Sequence, residues 1–143
     1  MKGKLISEDA QRTFAVILNT DDEAVGCLTA FAKEHRLSAS QFTGLGAFRD
    51  CVLGYFDWQK KDYTRIPIEE QVEVLALVGD IALNDREPKL HTHVVVSKAD
   101  GTAHGGHLLE AHVRPTLEVI ITESPTHLHR RSDPETGLAL IRL

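Results

Sequence analysis

Segments of strand character far outnumber segments with a helical period in this chain, and that imbalance confines it to a sheet-dominated fold. Thr13–Leu18, Phe42–Phe48, Val52–Trp58, Gln71–Val78 and Leu90–Val96 are short runs rich in apolar and β-branched residues, the composition that suits a pleated, half-buried surface. Ile81–Leu83 extends the fourth run, Thr102–Leu109 is expected to return antiparallel to Leu90–Val96, and Leu117–Thr122 and Leu138–Leu143 add further strands. One segment has helical spacing: Val25, Leu28, Phe31 and Ala32 share a face between about Glu23 and His35. Asn19-Thr20-Asp21-Asp22 supplies its N-cap candidates. The expected fold class is α+β, a mixed, largely antiparallel sheet with one long helix.

The 143 residues suffice for one ordinary domain, 1–143, with no linker, repeat or low-complexity tract inside it. The net charge of −5 works against non-specific binding to a phosphate backbone. Cys27 and Cys51 form no CxxC pair and lie in apolar runs, so both read as reduced and buried. Ser7-Glu8-Asp9 interrupts the N-terminus before a signal-peptide core can form, and no apolar run approaches a membrane span. These features predict a cytoplasmic protein without membrane partners.

Of the eight histidines, five fall between His91 and His112. His91 and His93 stand two apart on a strand, so their imidazoles share a face. Ala99-Asp100-Gly101 fits a three-residue hairpin loop ending in a left-handed glycine. With that loop Lys98 pairs with Thr102, His93 faces His107, and His91 lies on the diagonal. A loop of two or four residues, or a bulge at Gly105-Gly106, would move His107 to the other face. His104 has the opposite parity and is expected to point away, His112 to lie past the strand end, and His127 and His129 to sit in a surface loop. Three imidazoles with no fourth protein ligand form an open zinc site of the catalytic kind, although another divalent metal would also fit. Gly105-Gly106 is expected to leave room beside it for water or a ligand. Glu118 and Glu73 are the candidate catalytic carboxylates for moving a proton there; each is also a plausible solvated carboxylate on a strand face.

Leu90-His91-Thr92-His93, Gly105-Gly106-His107-Leu108 and Thr116-Leu117-Glu118-Val119, in that order, resemble the prokaryotic single-domain branch of the plants-and-prokaryotes-conserved (PPC) domain family. Phe42–Ala47 and Val72–Ile81 resemble its glycine-containing strand and its central strand, and the likeness runs from about Phe14 to Leu143. The resemblance implies an α/β domain that assembles as a homotrimer, with His91, His93 and His107 as zinc ligands. It also carries a DNA-binding label that stems from plant relatives with AT-hooks, and this chain has no Arg-Gly-Arg-Pro hook. A fold likeness to acetolactate decarboxylase, which holds zinc with three histidines, is analogy and does not establish chemistry.

Three functions compete on this reading. The first is a trimeric DNA-binding or regulatory module of the PPC type. The second is a zinc-dependent lyase or hydrolase acting on a small carbonyl or carboxylate compound. The third is a structural oligomer whose histidines fix a hairpin. The only basic cluster, His127–Arg131, is too short for a duplex footprint unless trimerisation gathers three copies, so no tight sequence-specific DNA binding by this chain alone is expected. Whether the metal site is catalytic or structural stays open at this level.

Overall fold

The computed structural model describes residues 1–8, 11–125 and 127–142. The chain forms β1 (Lys2–Glu8), β2 (Arg12–Asn19), α1 (Ala24–Glu34), β3 (Ala39–Asp57), β4 (Asp62–Ile68), β5 (Val72–Asn84), β6 (Glu87–Ser97), β7 (Ala103–Glu123), β8 (His129–Ser132) and β9 (Ala139–Arg142). Among the described residues every strand pairing is antiparallel except one parallel bridge, Leu83 to His129. The sheet is therefore mixed and largely antiparallel, as the periodicity predicts. Leu143, the last residue of the expected final strand, lies outside the described residues.

The expected long helix is short, at 11 residues. Its N-cap is Glu23, whose carboxylate accepts from the Val25 and Gly26 amides at 3.2 and 2.6 Å. The residues expected to cap it form a turn instead, in which the Asp22 carboxylate accepts from the Asn19 amide at 2.8 Å. Leu28, Phe31 and Ala32 are buried with Phe14 and Ile121 in one core, and α1 packs against β6 and β7.

Two long strands organise the sheet. Apart from Trp58 and Thr102, which fall just outside, Phe42–Phe48 and Val52–Trp58 are parts of the single strand β3, and Thr102–Leu109 and Leu117–Thr122 are parts of β7. The glycines and charges that look like breaks are bulges: the register shifts against β5 between Gly44 and Gly46, and against β7 between Gly46 and Phe48, Phe48 and Asp50, and Val52 and Leu53. Bulges bend a strand and raise its twist without ending it. Pro115 falls where neither β2 nor β3 needs an amide from β7. The bends let β7 pair with β3, β3 with β5, β5 with β6, and β6 with the start of β7, closing a ring of four strands. Phe48, Leu53, Leu77, Val96 and Leu117 are almost fully buried within the core.

β4 goes unread in the sequence because its charges and Pro67 mask the strand pattern; it pairs with β3 alone, at the edge where proline is tolerated. β1, with a basic start, pairs with β2 in the same way. Cys51 is buried, which pushes its thiol up to about 11, whereas Cys27 is only half-buried, contrary to expectation. No helix among the described residues is long and apolar enough to cross a membrane.

The β6–β7 hairpin closes through Lys98, whose amide donates to Thr102 O at 3.0 Å and whose carbonyl accepts from the Gly101 amide at 2.9 Å. Gly101 has φ of +81° and open space around its α-carbon, so only the backbone conformation demands glycine. Gly101→Ala is expected to destabilise the protein by about 1 kcal/mol in urea denaturation, with the hairpin register retained.

Candidate metal centre

The turn fixes the partners of both strands. His93 pairs with His107, Val94 with Gly106, Val95 with Gly105, Val96 with His104 and Ser97 with Ala103, without a shift. His91, His93 and His107 stand on the outer face of the ring, because the alternate residues Thr92, Val94 and Leu108 are buried. The three rings have centroids 5.1, 5.4 and 5.3 Å apart, and one ligating atom of each lies within 4.8 Å of the others. His104 pairs with Val96 on the opposite face, as its parity requires.

The environment favours the neutral form of two of the imidazoles, His93 and His107. Burial, and then the neighbouring His91, His93 and Lys89, pushes His107 down to about 4. Burial and His91 likewise lower His93. Tyr63 stacks on His107 with centroids 4.6 Å apart, covering one ring face. Among the described residues, His107 Nδ1 is buried without a hydrogen-bond partner. A buried ring nitrogen without a partner is costly unless something occupies its lone pair or takes its proton.

Asp80 and Arg130, which the sequence reading misses, complete the surroundings. The Asp80 carboxylate lies 3.5 Å from His91 Nδ1 and forms an ion pair with Arg130. Burial opposes ionisation of Asp80, but hydrogen bonds from His91 and Arg130, together with the Arg130 charge, outweigh it and hold the carboxyl below its usual range. Arg130 is buried, donates from Nη1 to Ala139 O at 2.9 Å, and has no partner for Nε among the described residues. A signal existed for Asp80, since it lies directly across β5–β6 from His91. Arg130 arrives from β8, far along the chain, and no local pattern marks it.

The other candidates lie elsewhere. Glu118 is exposed, pairs with Ile17 and Leu45, and lines an apolar depression with Leu75 and Val78. Glu73 is exposed and pairs with Ser97, at the far end of β6 from His91. Neither lines the cleft at His91 and His107, which is bounded by Tyr63, Lys89, Leu90, Arg130 and Leu138–Leu140. Gly106 pairs with buried Val94 and serves packing: a Cβ there would stand 2.9 Å from the Gly54 carbonyl oxygen on β3. His112 is inside β7, not past its end, and its Nδ1 lies 2.6 Å from Asp50 Oδ1. His129 belongs to β8, not to a loop. His127 is exposed and contacts Ser38 Oγ at 2.6 Å.

A second buried polar cluster surrounds Glu123, which accepts from the Ser38 and Ala39 amides at 2.9 and 3.2 Å and from the hydroxyls of Ser38 and Ser40. Its acceptor sites are well used, so it ties the start of β3 to the end of β7 and has no free capacity for chemistry.

The donor set fits a metal. Zinc–nitrogen bonds of about 2.0–2.1 Å at tetrahedral angles need nitrogens about 3.4 Å apart. Side-chain rotation accounts for a difference of that size from the observed spread. No fourth protein ligand stands with the three histidines among the described residues.

Residues 6–125 match the Plants and Prokaryotes Conserved (PCC) domain. A metal-containing protein from Archaeoglobus fulgidus is similar over 98% of this chain and 99% of its own, at 32% identity and a TM-score of 0.86. A Bacteroides thetaiotaomicron protein that carries a provisional DNA-binding label is similar over 98% of this chain and 96% of its own, at 26% identity and a TM-score of 0.88. The bifunctional protein GlmU of Synechococcus sp. (strain JA-3-3Ab) is 30% identical over 113 residues, 77% of this chain. The chain spans only 17% of the length of that protein.

The lowered values of His93 and His107 set a pH dependence for metal-free protein. The unfolded chain takes up protons near pH 6.5, whereas folded His107 stays neutral to about 4. The unfolded state therefore binds more protons in this window, and stability falls as pH drops from about 6.5 towards 4. Chelator-treated protein is expected to show a denaturation midpoint that declines over this range, and His107→Asn to flatten the decline.

Proposed function

Because this chain belongs to the Plants and Prokaryotes Conserved domain family, we propose that it acts as a single-domain, homotrimeric metal-binding protein in which His91, His93 and His107 hold one zinc ion per subunit. The observation that carries this reading is the convergence of three imidazoles, one with a buried nitrogen lacking a partner. The metal-containing archaeal relative supports it. Three imidazoles favour zinc among borderline metals without excluding its neighbours. When bound with an open position, such an ion supplies Lewis acidity or an activated water, which favours a zinc-dependent lyase or hydrolase role over a purely structural one. Asp80 orients the His91 ring, and Arg130 holds Asp80 in place. Such outer partners fix the ring and raise its basicity. Glu118 and Glu73 remain candidate proton carriers only if another subunit brings them to the cleft.

The homotrimer is supported by the outer face of the sheet. Leu45, Leu75, Val78, Val95 and Ile120 are 62, 52, 49, 40 and 44% exposed. Four of them line one shallow depression with Glu118. A contiguous apolar face of this kind marks an interface, and cyclic closure with two further copies covers it on every subunit.

DNA binding is the second reading, favoured by the label on the Bacteroides relative. Against it, the chain carries a net charge of −5, and Arg130 is buried against Asp80 instead of presented with Arg131. That leaves the His127–Arg131 cluster with one exposed arginine.

Protein purified without an immobilised-metal column is expected to contain close to one zinc per chain by elemental analysis. Alanine at His91, His93 or His107 is expected to weaken zinc binding by more than the roughly 10–100-fold typical of losing an outer partner. Asp80→Asn falls within that range, and His104→Ala or His129→Ala leaves affinity unchanged. A chain that takes up no zinc at neutral pH overturns the metal reading.

Light scattering is expected to give three times the 15.8 kDa chain mass. Leu75→Glu is expected to lower it towards one chain. Submicromolar, salt-sensitive binding to one DNA sequence in a gel shift would instead favour the second reading.

A further inference from the structure

The cleft that opens beside the triad has an uneven lining. Lys89 stands on β6 in the same alternation as His91 and His93, is exposed, and has no ion-pair partner among the described residues. Its charge is felt at His107. Arg130 lies at the back, 5% exposed at its side chain, with Nε unpartnered. The other walls are Tyr63, Leu90, Leu138, Ala139 and Leu140.

Charge and size narrow what can bind. The imidazoles are neutral ligands, Asp80 is balanced by Arg130, and Lys89 is left over, so a divalent ion in the triad leaves the cleft strongly positive. A ligand entering there is favoured if anionic, and its affinity is enhanced where the walls exclude water. The cleft holds about 180 Å3, below the roughly 300–1,000 Å3 of sites for drug-sized molecules. The apolar walls favour a ligand whose other end is hydrocarbon.

We propose that this cleft binds a small aliphatic carboxylate, with Lys89 as the partner of the anionic group and Tyr63, Leu138 and Leu140 as the wall for a short apolar chain. The proposal rests on the metal reading above and adds the ligand class and the residues that choose it. Lys89 acts as a binding residue, and the leucines set the length of chain accepted.

The test is calorimetric titration of the zinc-loaded protein with butyrate, and with butyramide as the neutral analogue of the same shape. Butyrate is expected to bind more tightly than butyramide. Lys89→Met is expected to weaken butyrate about threefold to tenfold, as suits an exposed charge pair, and to leave butyramide unchanged. Zinc content measured on the same samples is expected to stay at the wild-type level in Lys89→Met. Leu140→Ser is expected to weaken butyrate relative to acetate. If wild type holds zinc but binds butyrate no better than butyramide, or if Lys89→Met binds butyrate as wild type does, the ligand proposal is wrong and the metal reading stands. If wild type holds no zinc, both fall.

Discussion

The closure of the β6–β7 hairpin at Lys98 and Thr102 is the constraint on which the site depends. A strand places side chains on alternate faces, so one extra or missing residue in the turn would send His107 to the interior side. Gly101 makes the three-residue loop affordable because it accepts a positive φ without strain. From that turn the pairing runs inward unbroken to His93 and His107. The same hairpin closes the strand ring, so the histidine triad stands on a rigid element and not on a loop.

The two faces of that ring divide the work. Inside, Phe48, Leu77, Val96 and Leu117 form a dry core. Outside, where an antiparallel sheet ordinarily shows polar residues, this one shows two departures: the histidine triad and the apolar strip. They adjoin, since Val78 of the strip pairs with His93. Under the proposed trimer, an interface over that strip would shield the triad from water without a lid, and water exclusion strengthens electrostatic recognition. The small size of the histidine cleft then follows from how few residues of one chain can wall it.

The likeness to a DNA-labelled relative and the likeness to a metal-containing one point in different directions, and the charges of this chain bear on the first. The arginine that could have joined a basic face is buried, holding Asp80 against His91. In this chain the basic segment after β7 therefore braces the surroundings of the histidine triad.

The sequence by itself determined the local terms: the dominance of strands, the helix face of Leu28 and Phe31, and the shared face of His91, His93 and His107. All follow from periods of 2 and 3.6 and from one turn, which act over a few residues. The boundaries of β3 and β7 were not legible, because a bulge and a turn use the same glycines and charges, and only the partner strands decide which forms. Glu118 and Glu73 looked near the triad because register along the chain says nothing about distance across the sheet. Only the tertiary structure set Arg130 at Asp80, carried Tyr63 onto His107, and gathered Leu45, Leu75 and Ile120 into one strip. Those contacts join residues distant in sequence, and they exist because the bent strands close the sheet on itself.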